Sequence, residues 1–155
     1  MREILNIYPD LGRKVDRNGC SPLHYACSRG RLEITKMLLK HNLDLAFQFD
    51  NNGYTPLHLA AMKGDTGILK AFVSIAPTSV HCLTEDGETV FHLTVRFNQF
   101  NAFVCLALVF SDTNLFNRPD SHGNTILHVA TSKGHYLVCI FLSLYVCEFR
   151  GVWMQ

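Results

Sequence analysis

The sequence has almost no net charge, +1 over 155 residues, so no electrostatic argument favours a nucleic acid or an anionic membrane as partner. Its charged residues are only 17%, against ~25% for ordinary soluble domains. A long apolar run is missing. The longest uncharged apolar run, Leu137 to Cys147, is eleven residues, whereas a span needs about 20, so no direct membrane span is expected in this chain. Met1 leads into Arg2-Glu3-Ile4-Leu5-Asn6-Ile7 with no apolar core or cleavage site, which argues against a secretory leader. The six cysteines contain no C-x-x-C pair and do not recur at a fixed spacing. They are expected as free thiols in a reducing compartment. No P-loop, dinucleotide fingerprint or paired-acid motif is present, and no cofactor is expected.

What is present is repetition. Ser21-Pro22-Leu23-His24-Tyr25-Ala26 recurs as Thr55-Pro56-Leu57-His58-Leu59-Ala60, as Thr89-Val90-Phe91-His92-Leu93-Thr94 and as Thr125-Ile126-Leu127-His128-Val129-Ala130. The histidines are 34, 34 and 36 residues apart. Gly19, Gly53, Gly87 and Gly123 each precede one by five residues, and Gly30, Gly64 and Gly134 follow by six, with Asn98 in the remaining slot. Such a period means stacked units rather than one globular core. Ser or Thr can cap a helix, proline at its first position loses nothing, and glycine after its end supplies a left-handed turn. Each unit therefore reads as two helices and an outgoing loop.

A Thr-Pro-Leu-His-x-Ala motif at this period resembles the ankyrin repeat, over residues 1–142. The resemblance implies an all-α solenoid of helix-turn-helix units joined by extended turn loops, acting as a protein-protein interaction module. A narrower likeness rests on Gly87-Glu88-Thr89-Val90-Phe91-His92-Leu93 with Asn98-Gln99-Phe100-Asn101-Ala102-Phe103, on Gly123 to Thr131, and on Ile7-Tyr8-Pro9-Asp10-Leu11. These are similar to plant ankyrin-repeat membrane proteins of the defence and salt-response type. In that family the array precedes a multi-helix membrane domain with a Pro-Gly-Gly signature. Neither occurs here.

The chain divides into an array over 1–145 and a non-repeat tail over 146–155. Within the array the expectation is a half repeat at 1–18, full repeats at 19–52, 53–86 and 87–122, and a final repeat at 123–145 without its outgoing loop. The third repeat is two residues longer, and the extra length is expected in a loop near Ser111 to Asn117. Its second helix should bury Ala102, Val104, Leu106, Ala107 and Leu108. The last helix should end near Leu144. Val138, Phe141 and Leu142 are expected to face a missing neighbour, which suggests a truncated product of a longer chain and self-association through the unfinished C-terminal end. The 48% hydrophobic content fits an apolar surface that meets something outside the chain.

Eight histidines invite a metal reading. Equivalent atoms in stacked helices lie about 8–10 Å apart, while zinc needs nitrogens near ~2.1 Å. His24, His58, His92 and His128 therefore cannot share an ion and are expected to bond neighbouring loops. A Cys-His nucleophile could use Cys20 with His24 or Cys82 with His81, but nothing suggests a pocket or an orienting group. No catalytic residue is assigned.

A solenoid leaves an extended concave surface, built in ankyrin arrays from loop tips and the exposed ends of first helices. The tips project as Arg17 and Asn18, Asn51 and Asn52, Glu85 and Asp86, then Ser121 and His122. The residue after each glycine adds Cys20, Tyr54, Glu88 and Asn124, and that slot is expected to point outward. The helix ends add Ser28-Arg29, Met62-Lys63, Arg96-Phe97 and Ser132-Lys133. Cations are favoured at helix C-termini by the dipole alone, whereas exposed Tyr54, Met62 and Phe97 beside mixed charge have the composition of interface anchors. The partner expected is another protein. The expected localisation is cytoplasmic, at the inner face of the plasma membrane where a longer relative is anchored.

Overall fold

Every unit starts at a hydroxyl. The computed structural model describes residues 9–110 and 113–153, so the half-repeat helix expected over 1–8 lies outside the described residues. Ser21, Thr55, Thr89 and Thr125 are extended and cap helices α1 (Pro22–Ser28), α3 (Pro56–Lys63), α5 (Val90–Arg96) and α8 (Ile126–Lys133). Each is followed by a second helix: α2 (Leu32–His41), α4 (Thr66–Ile75), α6 (Phe100–Val109) and, after an inserted α7 (Thr113–Asn117), α9 (Tyr136–Trp153). Among the described residues there is no β-strand. The turn between the two helices of unit three holds Asn98 at φ +57°. That is the left-handed region, which asparagine tolerates better than most side chains.

First helices stack on first helices, α1 on α3 on α5 on α8, and second helices do the same from α2 through α4 to α6. One continuous apolar core results, running from Leu23 to Leu142. Leu23, Leu57 and Phe91, at one motif position, are no more than 2% exposed. Leu127, at that position in unit four, is 47% exposed, because no further unit covers it among the described residues. Leu142 and Val138 are buried, and Phe141 stacks edge-on against Phe103 at 5.4 Å. Phe141 packs back onto unit three and Val138 and Leu142 are buried in the same core, which corrects the expectation that the three face a missing neighbour. The side of unit four that does face outward carries Thr131 and Ser143, whose hydroxyls donate to the Leu127 and Cys139 carbonyls.

Three further expectations change. The segment expected as a loop near Ser111 to Asn117 contains α7. It carries Phe116 into the core, 4.9 Å from Phe91, 6.2 Å from Phe103 and 5.4 Å from Tyr145 between ring centres. Leu108, expected inside, is 73% exposed. The last helix continues past Leu144 to Trp153, so α9 has 18 residues where α2, α4 and α6 each have 10. Among the described residues no helix is long and apolar enough to cross a membrane.

Candidate functional site

The loop tips are built by a side chain that the motif reading passed over. Asp50 Oδ1 accepts from the amides of Asn52 and Tyr54, both at 2.9 Å, and Asp16 and Asp120 do the same for Asn18 and Cys20, and for His122 and Asn124. In unit three Thr84 Oγ1 takes the role, accepting from Glu88 N at 3.1 Å. The backbone closes each tip into a hairpin, as in Asp50 N to Tyr54 O and Gly53 N to Asp50 O. The signal was in the sequence, since these residues stand three before each tip glycine, and Asp bonding to amides two residues on is a known turn former. The amide of Asn124 and its side chain hold the Asp120 carboxyl below the usual range against the opposing effect of burial. Tyr25 does the same for Asp16, its hydroxyl donating to Oδ2 at 2.6 Å.

The first tip is tied to the second, and the third to the fourth. Asn51 donates from its amide to the Asn18 carbonyl and from Nδ2 to the Arg17 carbonyl, both at 2.9 Å, and Ser121 N donates to Asp86 O at 2.8 Å. The tip glycines Gly19, Gly53, Gly87 and Gly123 have φ between +71° and +81°. A Cβ on Gly19 would lie 2.9 Å from the Asn51 amide nitrogen, so close stacking there admits only glycine.

The motif histidines set the depth of the stack. The amide of Ser21 donates to His24 Nδ1 at 3.1 Å, and those of Thr55 and Thr89 to His58 and His92 Nδ1 at 3.1 and 3.2 Å. A nitrogen that accepts carries no proton, so the neutral ring holds its hydrogen on Nε2. That hydrogen is donated across the unit boundary, from His24 to Tyr54 O at 3.1 Å and from His92 to Asn124 O at 3.0 Å. His58 uses the Cys82 carbonyl at 3.1 Å instead, six residues earlier in its loop. Burial disfavours the charged ring in all three, lowering the basicity of His24 and His92 and bringing His58 to about 4. His128 keeps the local bond to Thr125 but is exposed, and no bond from its Nε2 to a further unit is present among the described residues. The expectation that every motif histidine bonds a neighbouring loop therefore holds for three of them.

Among the described residues no three His, Cys, Asp or Glu side chains gather where they could hold a metal ion. The thiol of Cys20 lies 4.0 Å from Asp50 Oδ2, and burial followed by that carboxylate pushes it up. Burial also raises Cys82, and raises Cys27 to about 12. This is opposite to the depressed value that makes a thiolate nucleophile.

Of the expected contact residues, Arg17, Asn18, Arg29, Asn51, Asn52, Lys63, Glu85, Asp86, Arg96, Phe97 and Lys133 are exposed, and Tyr54, Met62 and Asn124 are half-buried. Tyr54 leans edge-on over the His58 ring at 6.4 Å, and the Arg29 guanidinium lies 6.0 Å from the centre of the Tyr25 ring. Glu88 departs from the expectation of an outward side chain. It is 1% exposed and its Oε1 lies 2.6 Å from Arg96 Nη2. Burial raises its carboxyl above the usual range and the Arg96 charge pulls it back. The acidic patch at the third tip thus reduces to Glu85 and Asp86, and Arg96 spends its charge on a buried partner.

Known proteins share this architecture. The family model described as ankyrin repeats (three copies) matches residues 2–81 and 57–149. A human relative, transient receptor potential cation channel subfamily A member 1 of Homo sapiens, is 32% identical over 126 residues, or 81% of this chain. The chain spans 8% of that relative's length. Helix pairs stacked through the motif histidines, a hairpin tip opening every unit, and a family match that takes in most of the sequence lead to one assignment: this chain belongs to the ankyrin-repeat family.

Proposed function

We propose that the chain is an adaptor array that captures another protein along the row of loop tips and first-helix ends, with no catalysis of its own. The observation that supports this is the set of side chains left accessible beside the tips: Tyr54 stands on the hairpin that Asp50 closes, and Lys63 and Phe97 are exposed at the ends of their first helices. Preorganised aromatic anchors lose little entropy on binding, and anchors of this kind carry a large share of interface energy. Fold alone does not name a function, so the test is made on these side chains. Affinity capture with the folded array as bait, beside Tyr54→Ala/Lys63→Ala/Phe97→Ala, should retain a partner on the first and lose it on the second, at an unchanged melting temperature. Equal capture by the folded triple variant overturns the assignment.

A second reading makes this the cytosolic array of a longer, membrane-anchored signalling protein, of the kind found in plant defence and stress responses. Two observations favour it: the likeness of the third and fourth units to that class, and a match covering a small part of a protein named as a cation channel. Co-sedimentation of the native protein with plasma membranes tests it. A native protein found wholly in the soluble cytoplasmic fraction counts against it.

A further inference from the structure

The outer faces of the second helices change character along the stack. Counting three, six and ten residues from each inter-helix turn, α2 carries Glu33, Lys36 and Lys40, α4 carries Gly67, Lys70 and Ser74, and α6 carries Asn101, Val104 and Leu108. In α9 the same positions are Leu137, Ile140 and Leu144, which are 45%, 53% and 64% exposed. Leu108 at 73% and Val109 at 51% are likewise exposed on α6. These positions are exposed or half-buried in the earlier units, of which units two and three have neighbours on both sides, so a missing neighbour in the stack does not account for three aliphatic side chains there. We propose that this stripe is a homodimer interface, in which α9 packs antiparallel on α9 of a second copy about a two-fold axis near Ile140.

Three features select a second copy. Positions 137, 140 and 144 have the i, i+3, i+7 spacing of a helix-helix seam. No charged residue occurs between Lys133 and Glu148, so a contact that sets each face against itself brings no like charges together, and two-fold pairing is the commonest closed arrangement. An axis near Ile140 pairs the segments from Tyr136 to Leu144, about 13 Å of helix, and sets the exposed Tyr136 of one copy opposite the exposed Leu144 of the other. Stacking the first unit of one copy on the last unit of another is disfavoured. Thr131 and Ser143 make the end of unit four more polar than Ala61 and Val73 make the matching side of unit two. A lipid surface would draw on a cluster of flanking basic residues, whereas only Lys133 and Arg150 bracket the stripe, with the acidic Glu148 beside the latter. The stripe lies on second helices and the proposal is independent of the tip row.

Light scattering of the 155-residue chain should give twice its 17.5 kDa mass at micromolar concentration. The variant Leu137→Glu/Ile140→Lys/Leu144→Lys, which installs the residues of α2, should dissociate at least ~100-fold more readily, since it removes three buried aliphatic side chains. Its helical circular dichroism should be unchanged. A second measurement covers the case in which that variant fails to fold. Ile140→Cys treated with a short bis-maleimide should give a covalent dimer that neither the parent chain nor Lys36→Cys gives. A monomeric parent, a variant that still dimerises, masses that grow without limit as in an end-to-end chain, sedimentation of the monomer with phosphatidylcholine–phosphatidylserine vesicles, or no cross-link through position 140 would each overturn the proposal.

Discussion

The carboxylate of Glu88, 1% exposed, stands 2.6 Å from the Arg96 guanidinium, so a charge from the end of α5 neutralises a charge buried at its start. Removing Arg96 leaves that carboxylate without its ion-pair partner. Arg96→Ala should cost about 1–3 kcal/mol in urea unfolding, the Arg96 side chain being 38% exposed and the pair partly screened. Adding Glu88→Gln should return a good part of the loss. Additive costs in the double variant would show that the pair is not coupled.

The three buried motif histidines make the array acid-sensitive. His58 falls from 6.5 to about 4 through burial. Between those values the unfolded chain binds more protons than the folded one, so stability rises with pH. The contribution of neutral His58 is fully present above its unfolded value and is lost as pH falls toward about 4. It amounts to ~3 kcal/mol, with His24 and His92 acting in the same direction. Glu88 is raised and acts oppositely, contributing stability below its unfolded value that is lost as pH rises. Melting midpoints from pH 8 to 4 should therefore fall more steeply in Glu88→Gln and less steeply in His58→Gln.

The tip glycines are not equivalent. Gly19 and Gly123 both have φ near +75°, but a Cβ on Gly19 meets the Asn51 amide at 2.9 Å while one on Gly123 meets nothing within 4 Å. Gly123→Ala should cost only the left-handed strain, ~1 kcal/mol. Gly19→Ala should cost at least ~1 kcal/mol more, because backbone must move. Equal shifts in unfolding midpoint would contradict the close contact.

Phe116 joins α7 to units three and four. Phe116→Ala should cost ~3–5 kcal/mol as a core cavity. In a linear array the loss is felt by nearest neighbours, so amide exchange should quicken in α8 and α9 well before α3 and α4. Uniform quickening throughout would argue for one cooperative block.

Much of this was legible because an ankyrin unit is specified locally. The Ser/Thr cap, the histidine three residues on, the tip glycine and the left-handed turn each act within a few residues, and Asn98 could be read as a glycine substitute from its own chemistry. Harder to read were features that depend on which unit is the neighbour. Leu127 and Leu57 occupy the same motif position, yet one is 47% exposed and the other 2%. Glu88 shares a slot with Tyr54 and Asn124 and is buried where they are half-exposed, because Arg96 reaches it in space.

The chain by itself determined the repeat, the caps, the tips and the stacked helix pairs, since those follow from hydrogen bonds and backbone preferences spanning fewer than about ten residues. Only the tertiary structure decided which side chains remain free. It turned Val138 and Leu142 inward into the common core, set Phe116 against Tyr145 of the last helix, and left Leu137, Ile140 and Leu144 in solvent. Burial is a property of the packed neighbour, and no position in a periodic sequence records that neighbour until the stack is formed.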